Sequence, residues 1–232
     1  MNRRSFLKAV PAVAGLAAAS ASGKEAKPAL EPIALPKPET DGGKSVLAAL
    51  KERRTIREIN AKKLSPQMLS NLLWAAWGVN RKKGPFGMIG RTAASASNSQ
   101  EIDLYVAMPE GAYLYDAANH HLVPVTAEDL RPLCGNRGRR PGVDAPVRLI
   151  FVANLEKYNH SGFDEPGLHD DEVQKSYYNI AIGLIAGNVH LFAASQGLAA
   201  WFHNCDKAAL AKALNLPAEE RVVYSQTVGY PA

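Results

Sequence analysis

Cysteine is scarce in this sequence, and its scarcity excludes a small fold built on several disulfides. The 232 residues contain only Cys134 and Cys205, which can pair in an oxidising compartment if the fold brings them close enough. Neither belongs to a C-x-x-C motif, and no histidine pair has the spacing of a zinc site. His120 and His121 are adjacent, so on a strand they would point to opposite faces. We therefore expect no metal site.

A long apolar run is also missing. The chain begins MNRRSFLKAVPAVAGLAAASASG, with a basic start, a short apolar middle and the small residues Ala19-Ser20-Ala21. This pattern is typical of an export signal cleaved after Ala21. The run is too short and too rich in alanine for a stable membrane anchor, and no cysteine follows it that would carry a lipid.

The first residues also suggest the export route. Arg3 and Arg4, followed by Ser-Phe-Leu-Lys, resemble the twin-arginine signal consensus. That resemblance implies export of an already folded protein, to the periplasm or otherwise out of the cytoplasm. An ordinary secretory signal is the alternative interpretation.

A strong excess of one charge is absent once this signal is subtracted. The formal charge of +5 comes from 27 basic and 22 acidic residues. Removal of residues 1–21 takes away Arg3, Arg4 and Lys8 and no acid, which leaves 24 basic against 22 acidic residues. The remaining basic cluster of Arg137, Arg139 and Arg140 fits a solvated loop, and no basic helix is interleaved with aromatics. We expect no nucleic-acid partner.

The rest of the chain divides into a tether and one domain. Residues 22–43 carry four prolines among Lys, Glu and Ala, which predicts an extended, flexible linker. Residues 44–232 have the length and apolar content of a single globular domain.

The order of helices and strands in this domain predicts an α+β fold, with helices packed on a mainly antiparallel sheet. Ser65 and Pro66 have the positions of an N-cap and first residue of a helix. The longest helix is expected over about 170–195, apolar on most sides and ended by Gly197. Gly183 and Gly187 within it suggest close approach of another group. Strands are expected at 101–108, 113–116, 121–125, over APVRLIFVANL, and over RVVYSQTVGYP.

Two stretches of the domain carry chemistry. KERRTIREI places Arg53, Arg54, Thr55 and Arg57 just after a helix. Forked guanidinium donors beside a hydroxyl suit a phosphate, although a solvated basic helix end is the plainer alternative. In RTAASASNSQ, small hydroxyl and amide residues precede a half-buried strand, where they allow close approach and hydrogen bonds without net charge.

Four motifs together resemble the nitroreductase family. R-R-T-I-R is similar to the family's R-R-S-x-R, and A-S-A-S-N-S-Q to its P-S-S-x-N-x-Q before a strand. F-A-A-S-Q-G-L, at the end of the long helix, resembles L-x-A-x-x-x-G-L, and Q-T-V-G-Y-P resembles the closing strand and turn. The motifs occur in the family's order and span Arg53 to Pro231. The resemblance implies a homodimeric FMN oxidoreductase fold.

The resemblance also implies roles for individual residues. Arg53, Arg54, Thr55 and Arg57 would hold the phosphate and ribityl chain of FMN. The partner subunit would supply the small-residue loop, namely Ser95, Ala96, Ser97, Asn98 and Gln100. His203 and Asn204 would lie near the edge of the ring. The apolar helix over 180–192 is a candidate for the dimer interface, and a plain core helix is the alternative.

The family's chemistry is a two-step transfer from a small-molecule donor to an acceptor such as a nitroaromatic or a quinone, carried by the cofactor. We therefore name no catalytic acid or base. The alternative is an exported flavin-binding carrier or scaffold without turnover.

Several features depart from the family. Ala94 replaces a common proline, and basic residues after the closing turn are missing, for which Arg91 is a candidate substitute. The residues before the loop resemble the branch that oxidises peptide-bound azolines, a reaction that belongs to larger biosynthetic systems and is not carried over here. NADH and NADPH are not generally available outside the cytoplasm, so the donor stays open.

Overall fold

A computed structural model describes residues 29–84, 87–135 and 144–232, so the predicted signal and the cluster of Arg137, Arg139 and Arg140 lie outside the described residues. A seven-stranded antiparallel sheet forms the centre, in the order β1-β6-β5-β4-β7-β9-β8. Its strands are β1 (Ile33–Ala34), β4 (Ile102–Met108), β5 (Gly111–Asp116), β6 (His121–Thr126), β7 (Val147–Asn154), β8 (Ala199–His203) and β9 (Glu220–Gly229). A separate short hairpin pairs β2 (Val79–Arg81) with β3 (Gly90–Arg91). The predicted α+β class with an antiparallel sheet is confirmed.

The described residues form four α-helices around the sheet, and a polar residue caps the N-terminus of each. The helices are α1 (Val46–Glu52), α2 (Pro66–Trp77), α3 (Asp171–Gln196) and α4 (Lys207–Ala213). Ser65 accepts from the Met68 N–H at the start of α2, as its sequence predicts. Gly197 ends α3 with a φ of 70°, a left-handed conformation that glycine adopts without strain.

The two faces of the sheet bury different cores. Leu104, Val106 and Phe151 point to the face covered by α2 and α3. Neighbours of opposite parity, such as Tyr105 and Ile150, point to the other face, which is covered by α4 and a 3-10 helix at Arg131–Cys134. The alternation of side chains along each strand therefore places any residue of β8 or β9 on a known side of the sheet.

The long helix α3 is only half buried. By length and composition it could cross a membrane, but Ile182, Ile185 and Val189 are fully buried against the sheet and α2. On its other face Ile180 and Leu184 are 59% and 44% exposed. A Cβ added at Gly183 or Gly187 would meet no atom within 4 Å, so the close approach expected at these glycines does not come from the described part of this chain.

The described part of the expected linker is not a tether. Within residues 29–43, β1 pairs with β6, and Leu30, Ile33 and Leu35 pack against the main core. The Ser70 hydroxyl of α2 donates to the Pro36 carbonyl (2.5 Å). Prolines keep the segment extended and are tolerated at a sheet edge, while the apolar residues between them anchor it. The ordered domain therefore begins before Lys44.

Candidate functional site

The arginine segment lies along the β8 edge of the sheet. The Ile56 N–H donates to the Ala200 carbonyl of β8 (3.1 Å), and Ile59 forms a β-bridge with Pro231. Ile56 and Ile59 pack into a small apolar cluster with Ala199. Because these two isoleucines face the domain, the polar residues around them face solvent: Arg53, Arg54, Thr55 and Arg57 are all exposed.

A groove of about 430 Å³ opens beside this segment. Lys51, Arg53 and Arg54 line one side, and Ala194 and Gly197 at the end of α3 line the other. Within the described residues, no carboxylate pairs with Arg53, Arg54 or Arg57. The ion pairs observed there involve other groups, namely Lys44–Glu52, Lys63–Glu110, His121–Asp116, Arg131–Asp129, Lys157–Asp103, His169–Asp164 and Lys175–Glu172. The groove thus presents guanidinium donors that remain available to an anion.

Arg57 and Arg53 each interact with a ring side chain of a neighbouring element. The Arg57 guanidinium lies 5.6 Å from the centre of the Trp201 ring, within cation–π range. His190 of α3 has its pKa lowered, first by burial and then by the positive charge of Arg53. A second cationic charge on His190 is therefore disfavoured next to the groove.

The small-residue loop has an unusual backbone. Residues Ala96–Asn98 form one 3-10 turn, and Ser97, Asn98 and Gln100 have φ values of 46°, 54° and 52°. Non-glycine residues adopt this left-handed region at a cost in free energy, and asparagine does so most readily. Three such residues in four positions indicate that the surrounding structure enforces the conformation.

Arg91 enforces it from inside the chain. Its Nε donates to Gln100 Oε1 (2.6 Å), and its Nη1 donates to the Trp77 carbonyl (2.9 Å). The guanidinium also lies 4.8 Å from the centre of the Trp77 ring, and burial lowers its pKa. Since these donors are used within the chain, Arg91 positions the loop, and its expected role as a substitute phosphate ligand finds no support.

The loop amides are used in the same way. Gln100 Nε2 and Asn98 Nδ2 both donate to the Ile89 carbonyl, at 2.9 and 3.2 Å. The Gln100 N–H donates to Ser95 Oγ (3.0 Å). The side chains of Ser95, Asn98 and Gln100 therefore hold the loop together, and within residues 94–100 only Ala94 is exposed.

Glu101 is a residue that the sequence analysis did not single out. It follows the loop directly, is fully buried, and accepts from the Ser99 hydroxyl at 2.8 Å. Burial raises the pKa of its carboxyl group. The available signal was an acid placed between Gln100 and the first apolar residue of β4, but a carboxylate at a strand start is ordinarily exposed.

His203 lies on the sheet face opposite α3. Its Nδ1 is 2.9 Å from the Asn204 carbonyl, and its Nε2 is 2.8 Å from Thr227 Oγ1. Because a carbonyl only accepts, Nδ1 carries the proton and Nε2 accepts from the hydroxyl. Burial lowers the pKa of His203 to about 4, so the ring is neutral at physiological pH.

One chain brings only part of the predicted site together. The Arg57 guanidinium stacks on Trp201, whose ring centre is 4.3 Å from that of His203, so the arginine segment and the end of β8 adjoin. Asn204 is exposed there, with its Oδ1 bonded to the Cys205 N–H. Across the described residues, no hydrogen bond or ion pair of this group joins it to the loop, whose start attaches to α3 through a bond from Asn188 Nδ2 to the Thr92 carbonyl (3.1 Å).

A second cavity, of about 530 Å³, reaches the base of the loop. It lies between residues 39–44 and the ends of α2 and α3, with Trp74, Phe192 and Thr92 in its wall. The volume is typical of a small-molecule site, and the two aromatic residues offer a flat apolar surface. Lys44 lines this cavity and the arginine groove, so the two spaces adjoin.

Comparisons with known proteins agree on one family. The model of the nitroreductase family matches residues 50–230. A Methanocaldococcus jannaschii protein, provisionally named a nitroreductase, is 29% identical over 160 residues, which cover 63% of this chain and 72% of that protein. A crystal structure from Ralstonia eutropha with the same provisional name is 34% identical, with a TM-score of 0.76, and the match covers 90% of this chain and 92% of that one.

A more distant structure shares the fold alone. A chain of the E. coli microcin synthetase McbBCD complex is 17% identical, with a TM-score of 0.66 over 99% of this chain and 85% of that chain. Since the family model matches residues 50–230 and the Ralstonia eutropha structure is 34% identical over 90% of this chain, the chain belongs to the nitroreductase family of oxidoreductases.

Proposed function

We propose that this protein is an exported, FMN-dependent oxidoreductase that works as a homodimer on nitroaromatic, quinone-like or related acceptors. One observation carries the proposal. The groove beside β8 presents Arg53 and Arg54, and Arg57 follows on the same segment; all three residues are exposed and, among the described residues, have no carboxylate partner. Three unpaired arginines on an ordered segment are suited to a dianionic phosphate.

The residues present fit FMN in three respects. The arginines and the Thr55 hydroxyl would hold the phosphate and the ribityl chain, as forked and single donors respectively. The loop at 95–100 presents small residues on a rigid backbone, which allows a flat ring to approach closely. The exposed Asn204 follows the end of β8, close to Trp201, which contacts Arg57, and its amide would be the candidate for the edge of a ring.

A homodimer would complete the site. In one chain the arginine segment and the loop are separate, and α3 leaves Ile180 and Leu184 exposed between small residues. An exposed apolar helix face is the kind of surface that pairs with a second copy. The loop of one chain would then complete the groove of the other.

The division of labour follows from these contacts. Bound FMN supplies the hydride and electron transfer, first with a donor and then with an acceptor. The chain binds the phosphate, holds the loop in one conformation through Arg91 and Gln100, and offers the cavity beside Trp74 and Phe192 to a small aromatic molecule. The export proposal rests on the sequence of residues 1–21 and their twin-arginine pattern.

The test is an FMN titration of the mature protein, residues 22–232, followed by anaerobic addition of NADPH and then dithionite. We expect tight FMN binding and reduction of the bound flavin. Bleaching by NADPH identifies a pyridine nucleotide donor, and bleaching only by dithionite identifies another donor class. Reduction without reoxidation by quinones or nitroaromatics would leave the carrier role instead of the enzyme.

A double variant tests the arginine assignment. Arg53→Ala with Arg57→Ala removes two charge-assisted hydrogen-bond donors, so FMN affinity should fall by about 100-fold. Arg221→Ala is the matched control, since Arg221 is exposed at the opposite end of β9. Unchanged affinity in the double variant would contradict the phosphate assignment.

A further inference from the structure

The two cysteines, distant in sequence, meet in the second core. Cys134 ends the 3-10 helix at Arg131–Cys134, and Cys205 follows β8 by two residues. Both thiols are free and buried, and both belong to the apolar cluster under α4. The sequence alone left their proximity open.

A backbone hydrogen bond limits the distance between them. The Asp206 N–H donates to the Leu133 carbonyl (3.0 Å), so the peptide that leads into Cys134 is bonded to the peptide that leaves Cys205. Each Cα lies less than about 3 Å from the bonded N or O atom, so this bond keeps the two Cα atoms within about 8 Å; between antiparallel strands the pair flanking such a bond is about 4.5 Å apart. Disulfides span Cα separations of about 4.4–6.8 Å.

The side chains share a neighbour. The buried Ser225 hydroxyl of β9 acts to lower the pKa of each thiol against the larger effect of burial, and it has no hydrogen-bond partner among the described residues. Burial raises the pKa of Cys134 to about 12 and raises that of Cys205 as well. The Cys134 thiol donates to the Leu130 carbonyl (3.4 Å), which also receives the Leu133 N–H (3.0 Å). Loss of the thiol proton therefore leaves that carbonyl with a donor.

We propose that Cys134 and Cys205 form a disulfide when the chain folds under oxidising conditions. Both S–H bonds break and one S–S bond forms. Two electrons and two protons pass to a disulfide oxidant, which is reduced to two thiols. The step involves neither FMN nor the groove, so it stands or falls separately from the proposed activity.

The bridge would have a local effect on the candidate site. It would join the 3-10 helix at Arg131–Cys134 to the chain directly after His203 and Asn204. It would also close a loop of about 70 residues, of the size for which cross-links restrict the unfolded chain strongly. Asn204 would then be held between the end of β8 and the cross-linked Cys205.

The test compares native and unfolded chains in the same redox buffer. The mature protein is equilibrated with reduced and oxidised glutathione, with and without FMN, and in parallel in concentrated urea. After acid quenching, both samples are alkylated with N-ethylmaleimide in neutral, concentrated urea, and intact-mass measurement then counts free thiols. We expect the native chain to carry no adducts and to favour the disulfide over the urea sample by at least about tenfold, whether or not FMN is present.

Two outcomes would overturn the proposal: an oxidised fraction no higher in the native chain than in urea, or single glutathione adducts in place of an internal bridge. Cys134→Ser and Cys205→Ser are matched controls, each expected to leave one thiol that is alkylated. If either fails to fold, the comparison with urea still decides for the unaltered chain. Oxidised protein should also unfold at higher urea than reduced protein.

Discussion

At the scale of single residues, the loop before β4 keeps a strained backbone through side-chain hydrogen bonds. Ser97, Asn98 and Gln100 all have positive φ, and each left-handed non-glycine residue costs about 1 kcal/mol or more. Arg91 and the Ile89 carbonyl hold the amides that maintain this shape. Strain that is maintained at such cost commonly belongs to a binding surface.

Asn98 offers a way to separate its backbone from its side chain. We expect Asn98→Ala to lower the free energy of unfolding by about 1 kcal/mol, because alanine tolerates φ near 54° poorly. Asn98→Gly should be tolerated, because glycine adopts this region freely. Urea unfolding measures the difference.

FMN titration of the same two variants assigns the role of the amide. If the Asn98 amide binds the cofactor, both variants lose affinity. Full affinity in Asn98→Gly would restrict its role to the loop bond with the Ile89 carbonyl.

His203 should make stability depend on pH. Its pKa is lowered from 6.5 to about 4 by burial, so the unfolded chain takes up a proton before the folded chain does. Stability is therefore complete above pH 6.5 and falls as the pH drops towards 4, by up to about 3 kcal/mol. His203→Gln should give a shallower dependence of the unfolding free energy over this window. An unaltered dependence would place the proton uptake at another group.

Residue identities point to candidate binding residues but not to the residues that support them. The arginines and the small-residue loop were recognisable because their chemistry is local. The bonds from Arg91 to Gln100 and Trp77, and the burial of Glu101, depend on how β3, α2 and β4 pack together. No local pattern contains that information, since each partner comes from a different element.

At the scale of elements, the strongest sequence signals were periodic ones. The bounds of α2 and α3 follow from apolar spacing with a capping Ser65 and a terminal Gly197. The strand β8 was not predicted, because Ala199–His203 is short and does not alternate in polarity. Residues 29–43 were misjudged, since proline content was weighed above the apolar residues between the prolines.

That segment provides a direct test by truncation. A chain that starts at residue 44 loses Leu30, Ile33 and Leu35 from the edge of the main core. We expect a loss of roughly 3 kcal/mol from their burial, which is a fall in Tm on the order of 10 °C. A chain that starts at residue 29 is the matched control and should melt like the mature protein. Equal Tm values for the two truncations would restore the interpretation as a tether.

At the scale of the whole molecule, the exposed face of α3 is the surface that tests whether the candidate site needs a second chain. Ile180 and Leu184 are exposed on the same side of the helix as Gly183 and Gly187. If this face pairs with a second copy, Ile180→Lys with Leu184→Lys should give monomers in analytical ultracentrifugation. The FMN affinity of this double variant should fall as its dimer is lost, because the loop would come from the partner.

The hypothesis of a site shared between two chains also predicts that FMN affinity depends on protein concentration. FMN should bind more weakly as the unaltered protein is diluted, because binding and dimerisation stabilise each other. Val125→Lys is the control, since Val125 is an exposed apolar residue on β6, away from α3. A double variant that stays dimeric, or that binds FMN fully as a monomer, would contradict the shared site.

The closing turn has a practical consequence for anyone who attaches something to this protein. The Ala232 N–H donates to the Glu58 carbonyl (3.0 Å), beside Arg57, so any peptide added after Ala232 emerges next to the arginine segment. An affinity tag placed there would obstruct the arginine groove and alter the FMN binding that is measured. A small fluorophore on the same position would, for the same reason, report directly on occupancy of the groove.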